Sequence, residues 1–81
     1  MTVSVVAFAR LRELLGFSKR SLVLPETANV DDAWNAIAAG TPAIRELRES
    51  TRIACNGAIA ERGRALRDGD ELSLFPPAGG G

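Results

Sequence analysis

The sequence predicts an α+β domain, a mixed sheet packed on one main helix. Three observations lead there. The two ends of the chain, residues 2–9 and 71–75, alternate side chains with the period of a strand. Between them lies one capped stretch with helical spacing, residues 30–39. Asn56-Gly57 and Asp68-Gly69 then punctuate the second half as tight turns do. At 81 residues the chain makes one domain at most, expected over 1–77 and followed by a flexible glycine tail at 78–81.

Each element has its own signal. In residues 2–9, Val3, Val5 and Ala7 share one face, while Thr2, Ser4, Val6 and Phe8 share the other. Arg10 to Leu15 switches to helical spacing, with Leu11, Leu14 and Leu15 on one stripe and Gly16 placed to stop the turn. Ser21-Leu22-Val23-Leu24 is a second strand ended by Pro25, so the first two strands form an opening hairpin with a long connection. Asn29 caps the main helix, Asp31 and Asp32 put negative charge in its first turn, and Val30, Trp34, Ile37 and Ala38 form its buried stripe. Gly40 ends it. Thr41 and Pro42 are an N-cap and a first helical residue, opening a short helix that buries Ile44 and Leu47. Ile53-Ala54-Cys55 is a strand, Asn56-Gly57 its hairpin turn and residues 58–60 its return. Residues 62–67 are a loop, and the Asp68-Gly69 turn delivers Glu71 to Phe75 as the last strand.

Composition narrows function. Thirteen of the 37 apolar residues are alanine, so the core is small and the large side chains in it matter individually. Ten basic and ten acidic residues cancel, which argues against a nucleic-acid binder working through bulk charge. The charge is nevertheless blocked: +3 over 1–20, −3 over 21–40, +3 over 41–67 and −3 over 68–81, before the terminal carboxylate. Mixed solvated faces account for most of that pattern. No apolar run approaches a membrane span, and no basic-then-apolar leader opens the chain. A single cysteine cannot form an internal disulfide, which fits a reducing cytoplasm. The absence of histidine removes Ser-His and Cys-His nucleophile pairs and the commonest zinc ligand. Cys55 reads as a buried inert thiol. Asp68, Asp70 and Glu71 read as turn residues rather than metal ligands, because their spacing does not match a calcium loop. Such a chain is a poor candidate for a self-contained enzyme.

The tail is the unusual part. Phe75-Pro76-Pro77 leads into Ala78-Gly79-Gly80-Gly81. The two prolines fix φ and stiffen the exit from the fold, and the four residues beyond them have almost no side chain. Fully extended, those four reach roughly 14 Å, and glycine lets another backbone approach closely, so the segment suits threading into a narrow channel.

Two motifs bring these features together. The opening Phe8-Ala9-x-Leu11-Arg12-Glu13-x-x-Gly16, the Asn56 that follows the third strand, and above all Leu66-x-Asp68-Gly69-Asp70-Glu71-x-x-x-Phe75-Pro76-Pro77-x-x-Gly80-Gly81 resemble the MoaD/ThiS family of sulfur carriers, to which the small subunit of molybdopterin synthase belongs. The resemblance covers the whole chain. One departure is Gly79, where relatives often carry a bulkier or hydroxylated residue. The resemblance implies a ubiquitin-like β-grasp fold with the first and last strands adjacent and parallel. It implies that an E1-like enzyme, using ATP, adenylates the terminal carboxylate on Gly81 and that a sulfur donor displaces AMP to leave a thiocarboxylate. It also implies that the tail, with Gly79 and Gly80, inserts into a molybdopterin synthase large subunit, where sulfur passes to a pterin precursor during molybdenum cofactor biosynthesis. The reactive group is then the main-chain terminus, so this chain needs no cofactor, metal, nucleic acid or membrane of its own. In that frame Phe8 and Phe75 lie together on the open sheet face beside the tail exit, with Arg12, Pro76 and Pro77 as further partner-binding residues. Competing readings are a carrier for thiamine, cysteine or tRNA thiolation, a ubiquitin-like modifier attached to lysines, and a plain interaction domain. Thiamine carriers usually lack Phe-Pro-Pro before the glycines.

Overall fold

A computed structural model describes residues 1–77. Its order is β1 (Thr2–Ala7), α1 (Ala9–Leu15), β2 (Lys19–Val23), α2 (Val30–Gly40), a 3₁₀ segment (Pro42–Leu47), β3 (Arg52–Cys55), β4 (Ala58–Ile59) and β5 (Glu71–Phe75). The five strands form one mixed sheet in the order β2-β1-β5-β3-β4. β1 and β5 run parallel, and the other neighbours are antiparallel. This is the α+β, β-grasp arrangement expected. Among the described residues no helix is long and apolar enough to cross a membrane.

The core follows the pleat. Val3, Val5 and Ala7 of β1, Leu72 and Leu74 of β5, and Ile53 and Cys55 of β3 all bury on the helix side. α2 lays Val30, Ala33, Trp34, Ile37 and Ala38 onto them, while Leu11 and Ile44 are each 0% exposed at the flanks. Among the described residues, α1, α2 and the 3₁₀ segment all contribute to this one core cluster. Ala54 is buried yet stands outside the core cluster, as a residue on the opposite sheet face must.

Capping of α2 is reciprocal. The Asn29 side chain accepts from the Asp32 N–H at 2.8 Å, and the Asp32 carboxylate accepts from the Asn29 N–H at 2.9 Å. Carbonyls of Arg64 and Arg62 take the next N–H groups, of Val30 and Asp31. Loop 62–67 therefore serves as part of the helix cap.

Several boundaries differ from the sequence reading, each for a visible reason. β1 stops at Ala7 because Ala9 adopts φ +49, a left-handed conformation costing an L-residue roughly 1–2 kcal/mol. Ala9 is also the first residue of α1, which Gly16 ends in the left-handed conformation at φ +79. β2 begins at Lys19, because Val6↔Lys19 and Val5↔Arg20 pairs continue the hairpin beyond the apolar residues. The short helix after α2 is 3₁₀, and the Thr41 side chain does not cap it; the Thr41 N–H instead closes α2 on Ala38 O. Ile44 is buried as expected, whereas Leu47 is only half-buried. β4 is two residues long, although the Ala60 N–H still bonds Ile53 O. Its turn has Asn56 and Gly57 both at positive φ, as a type I′ hairpin requires.

The acidic block at the start of β5 acts as a fastener. Asp68 Oδ1 accepts the Thr2 N–H at 2.7 Å, tying the turn to β1. Asp70 accepts the Arg67 N–H at 2.8 Å and the Asn56 side-chain amide at 2.9 Å, while Asn56 Oδ1 accepts the Glu71 N–H. Glu71 pairs instead with Lys19 at 3.6 Å. These bonds, the Arg67 N–H foremost and then Asn56, hold the Asp70 carboxyl below the usual carboxylate range. Because the folded value is the lower one, its stabilisation is complete above the ordinary carboxylate range and drains away as pH falls below about 4. Asp70→Asn should cost about 1–3 kcal/mol at neutral pH, since its amide would turn a donor toward another donor, and should flatten the acid limb of stability against pH. Urea titrations of both proteins from neutral to acid pH measure this; superimposable profiles would remove Asp70 from the account.

Candidate functional site

The two chain ends meet at one end of the sheet. Ala7 pairs with Leu74 in the parallel β1–β5 register, and the Phe8 N–H extends that ladder to Leu74 O at 3.2 Å. Phe8 is still extended, at φ −118 and ψ 150, so its ring falls on the outer face. Phe75 closes β5 on the same face. Their rings stack with centroids 4.8 Å apart and an interplanar angle of 7°. Both stay accessible, at 40% and 36% exposure. The expectation that these two rings lie together beside the tail exit describes what the structure places there.

The surroundings are mixed. Val6, Ser4 and Ser73 continue the outer face inward from the pair and are half-buried. Ala54 pairs with Ser73 and also with Ile59, which puts Ile59, 66% exposed, on this same face at the β4 edge. Arg52 pairs with Phe75 across β3. Arg12 is exposed in the last turn of α1, four residues beyond Phe8, and makes no ion pair among the described residues. Pro76 is half-buried where the chain leaves the sheet, and Pro77 is exposed. Gly79, Gly80 and Gly81, on which the sequence reading places the chemistry, lie outside the described residues.

Ile59 and Arg52 are the residues the sequence reading missed. Ile59 read only as part of a return strand. Its side becomes visible only when the Asn56-Gly57 turn is taken to fix the Cys55↔Ala58 register and the alternation is carried across.

Elsewhere the polar residues have structural occupations. Cys55 is 1% exposed, and burial first, then the Asp70 carboxylate, pushes its thiol up against the opposing pull of Arg64. A raised thiol in a closed site is a poor nucleophile. Asp68, Asp70 and Glu71 are spent on four different partners, Thr2, Asn56, Arg67 and Lys19. Accessible at this end of the sheet are two stacked rings, the exposed Arg12 and Arg52, and an exit through Pro76 and Pro77. That arrangement suits docking.

A β-grasp domain that presents an aromatic sheet face beside Pro76 and Pro77 has the ubiquitin-like fold. Comparison with known proteins goes further. The model of the ThiS family matches residues 5–81, and the chain belongs to that family. The molybdopterin synthase sulfur carrier subunit of Chlamydomonas reinhardtii is 31% identical over the whole of both chains. Small archaeal modifier protein 1 of Haloferax volcanii is 35% identical over 91% of this chain and 94% of its own. A crystal structure of SAMP1 from that organism superposes with a TM-score of 0.89 at 30% identity, covering all of both chains. The complex of subunits 1 and 2 of the molybdopterin-converting factor from Helicobacter pylori contains a chain that superposes at 0.68 and 27% identity, again over all of both chains.

Proposed function

We propose that this protein is the sulfur carrier of a molybdopterin synthase. The observation that carries the reading is the family match running through Gly80 and Gly81, so that the glycine end belongs to the matched region and is not an appendage to it. In this reading the Gly81 carboxylate attacks the α-phosphate of ATP on an E1-like enzyme and expels pyrophosphate, so that the terminus carries AMP, a good leaving group in place of a poor leaving oxygen. A sulfur donor then displaces AMP and leaves a thiocarboxylate. The charged tail enters a large subunit, sulfur passes to the pterin precursor, and the carrier leaves with its carboxylate restored. The chain supplies reach and docking, and the partners supply catalysis.

Two comparisons support the choice of pathway. The Chlamydomonas relative is named for molybdopterin synthase. The Helicobacter chain is held in a complex of two converting-factor subunits, which supports a large subunit as the partner here. A modifier reading is favoured by the Haloferax relative. It predicts conjugates on lysines of other proteins, whereas a carrier for thiamine, cysteine or tRNA thiolation predicts sulfur on the terminus without binding to a synthase large subunit.

Docking is assigned to Phe8 and Phe75 at the centre, Arg12 at the rim and Pro76 and Pro77 at the exit. The same face serves the activating enzyme, because both partners must reach the same tail. Phe75→Ala should weaken binding to the large subunit by about 2 kcal/mol or more, roughly 30-fold, as truncated aromatic anchors do. Circular dichroism checks that the variant folds, and calorimetry measures the affinity. Wild-type affinity in a folded Phe75→Ala protein would eliminate the docking assignment.

A further inference from the structure

β2 is an edge strand: it pairs with β1 on one side, and its other side carries no strand among the described residues. Met1 and Leu24 exchange both main-chain bonds, and the Ala7 N–H bonds Ser18 O at 2.9 Å. These pairs set the parity of the ladder, so Arg20 and Leu22 turn their N–H and C=O groups toward β1. Lys19, Ser21 and Val23 turn theirs to the open side. Such a row is a template for one more strand.

The side chains along this edge suit an added strand. An apolar crevice of about 130 Å³ lies between Arg20 and Leu22 of β2 and the C-terminal half of α2. Leu15, Phe17 and Ile37 also line it, with Ala36 on the helix. A cavity of about 150 Å³ holds one benzene ring, so this crevice takes a single aliphatic side chain. On the outer face of the same edge Val23 is 78% exposed. Two cations stand at the other end of β2. The Arg20 guanidinium lies 5.6 Å from the centre of the Phe17 ring and has no ion pair among the described residues. Lys19 meets Glu71 at 3.6 Å with both side chains exposed, an attachment that costs little to exchange.

We propose that the open edge of β2 is a strand-addition site for an extended segment of a partner protein, with aliphatic residues at alternate positions and Asp or Glu beside them. The main chain of the segment bonds Ser21 and Val23. One aliphatic side chain enters the crevice, another covers Val23, and the acids meet Arg20 and Lys19. Charge selects this occupant over a second copy, because pairing two β2 edges would crowd Lys19 and Arg20 of both copies into one short ladder. The Phe8–Phe75 pair takes no part, so the site stands whether or not that pair docks a large subunit.

The test pans the full chain against a displayed library of random dodecapeptides and follows the enriched peptide, synthesised, by NMR. Enriched sequences should alternate aliphatic residues next to Asp or Glu. The peptide should slow hydrogen exchange at the Ser21 and Val23 amides and leave the Phe8 and Phe75 ring signals unmoved. N-methylation at alternate peptide positions should abolish binding, and methylation at the positions between them should not, because only every second N–H of an added strand faces β2. Arg20→Glu, and Ala36→Phe, which sets a ring over the crevice from an exposed helix position, should each weaken binding roughly 10-fold or more. Circular dichroism checks that both fold, and the methylation scan needs no variant of the protein. A library that enriches nothing, a peptide that shifts the Phe8 and Phe75 signals instead, or binding indifferent to methylation would overturn the proposal. So would a dimeric mass with Ser21 and Val23 already protected in the peptide-free protein, which would give the edge to a second copy.

Discussion

Deleting Gly81 is expected to abolish thiocarboxylate formation and synthase activity while leaving the fold untouched. The strands, helices and core cluster of the described residues all lie within 1–77. In the proposed function the chemistry, in contrast, is confined to one carboxylate. Removing a residue withdraws that group by roughly 3.5 Å, more than the tolerance of a near-attack geometry. Adding a Cβ at Gly80 or Gly81 should act similarly, by obstructing a channel that admits backbone alone. The measurement is reconstituted activation with ATP, the E1-like enzyme and a sulfur donor, followed by product analysis and a melting curve. A Gly81-deleted chain that formed thiocarboxylate and supported the synthase at the normal rate would refute the tail mechanism.

Trp34→Ala is expected to do the reverse, removing stability and sparing the docking chemistry. Trp34 is 2% exposed in the middle of the α2 stripe. The Arg48 guanidinium lies 5.7 Å from the centre of its ring, held there by an Nε bond to Asp31 at 2.9 Å. Truncation should cost about 3–5 kcal/mol, against roughly 4–12 kcal/mol for a domain of this length. For a chain this size the loss corresponds to a drop of at least about 12 °C in Tm. Trp34 sits on the helix side of the sheet, so binding to the large subunit should survive at a temperature where the variant is folded. An unchanged Tm would contradict its placement as the core anchor.

The elements readable from sequence were those with local chemistry. β5 was placed at its observed bounds because Asp68-Gly69 before it and Pro76 after it leave no other room. α2 was legible from Asn29 and the two aspartates behind it. β2 lies at 19–23 rather than the 21–24 its apolar residues suggest, since Lys19 and Arg20 carry no apolar alternation and are recruited by pairing with Val6 and Val5, while Leu24 falls just past the strand. The parallel β1–β5 pairing has no local signature, because it joins residues nearly seventy positions apart; it came with the family resemblance. The same distance hid the bond from Thr2 to Asp68. Of the site, Phe8 and Phe75 were legible because strand alternation gives their side and the β1–β5 pairing gives their proximity. Ile59 was hidden by register, and the handedness of Ala9 by the absence of any glycine or asparagine to announce it.

The central claim is that the C-terminal carboxylate of this chain carries sulfur, and the intact mass of the protein taken from its native cell tests it most directly. The account predicts a population heavier than the unmodified chain by the difference between sulfur and oxygen, localised to the C-terminal peptide ending in Gly81 and lost on incubation with the large subunit and its pterin precursor. A terminus found only as carboxylate, with the chain instead joined through Gly81 to lysines of other proteins, would contradict the account and establish the protein as a modifier.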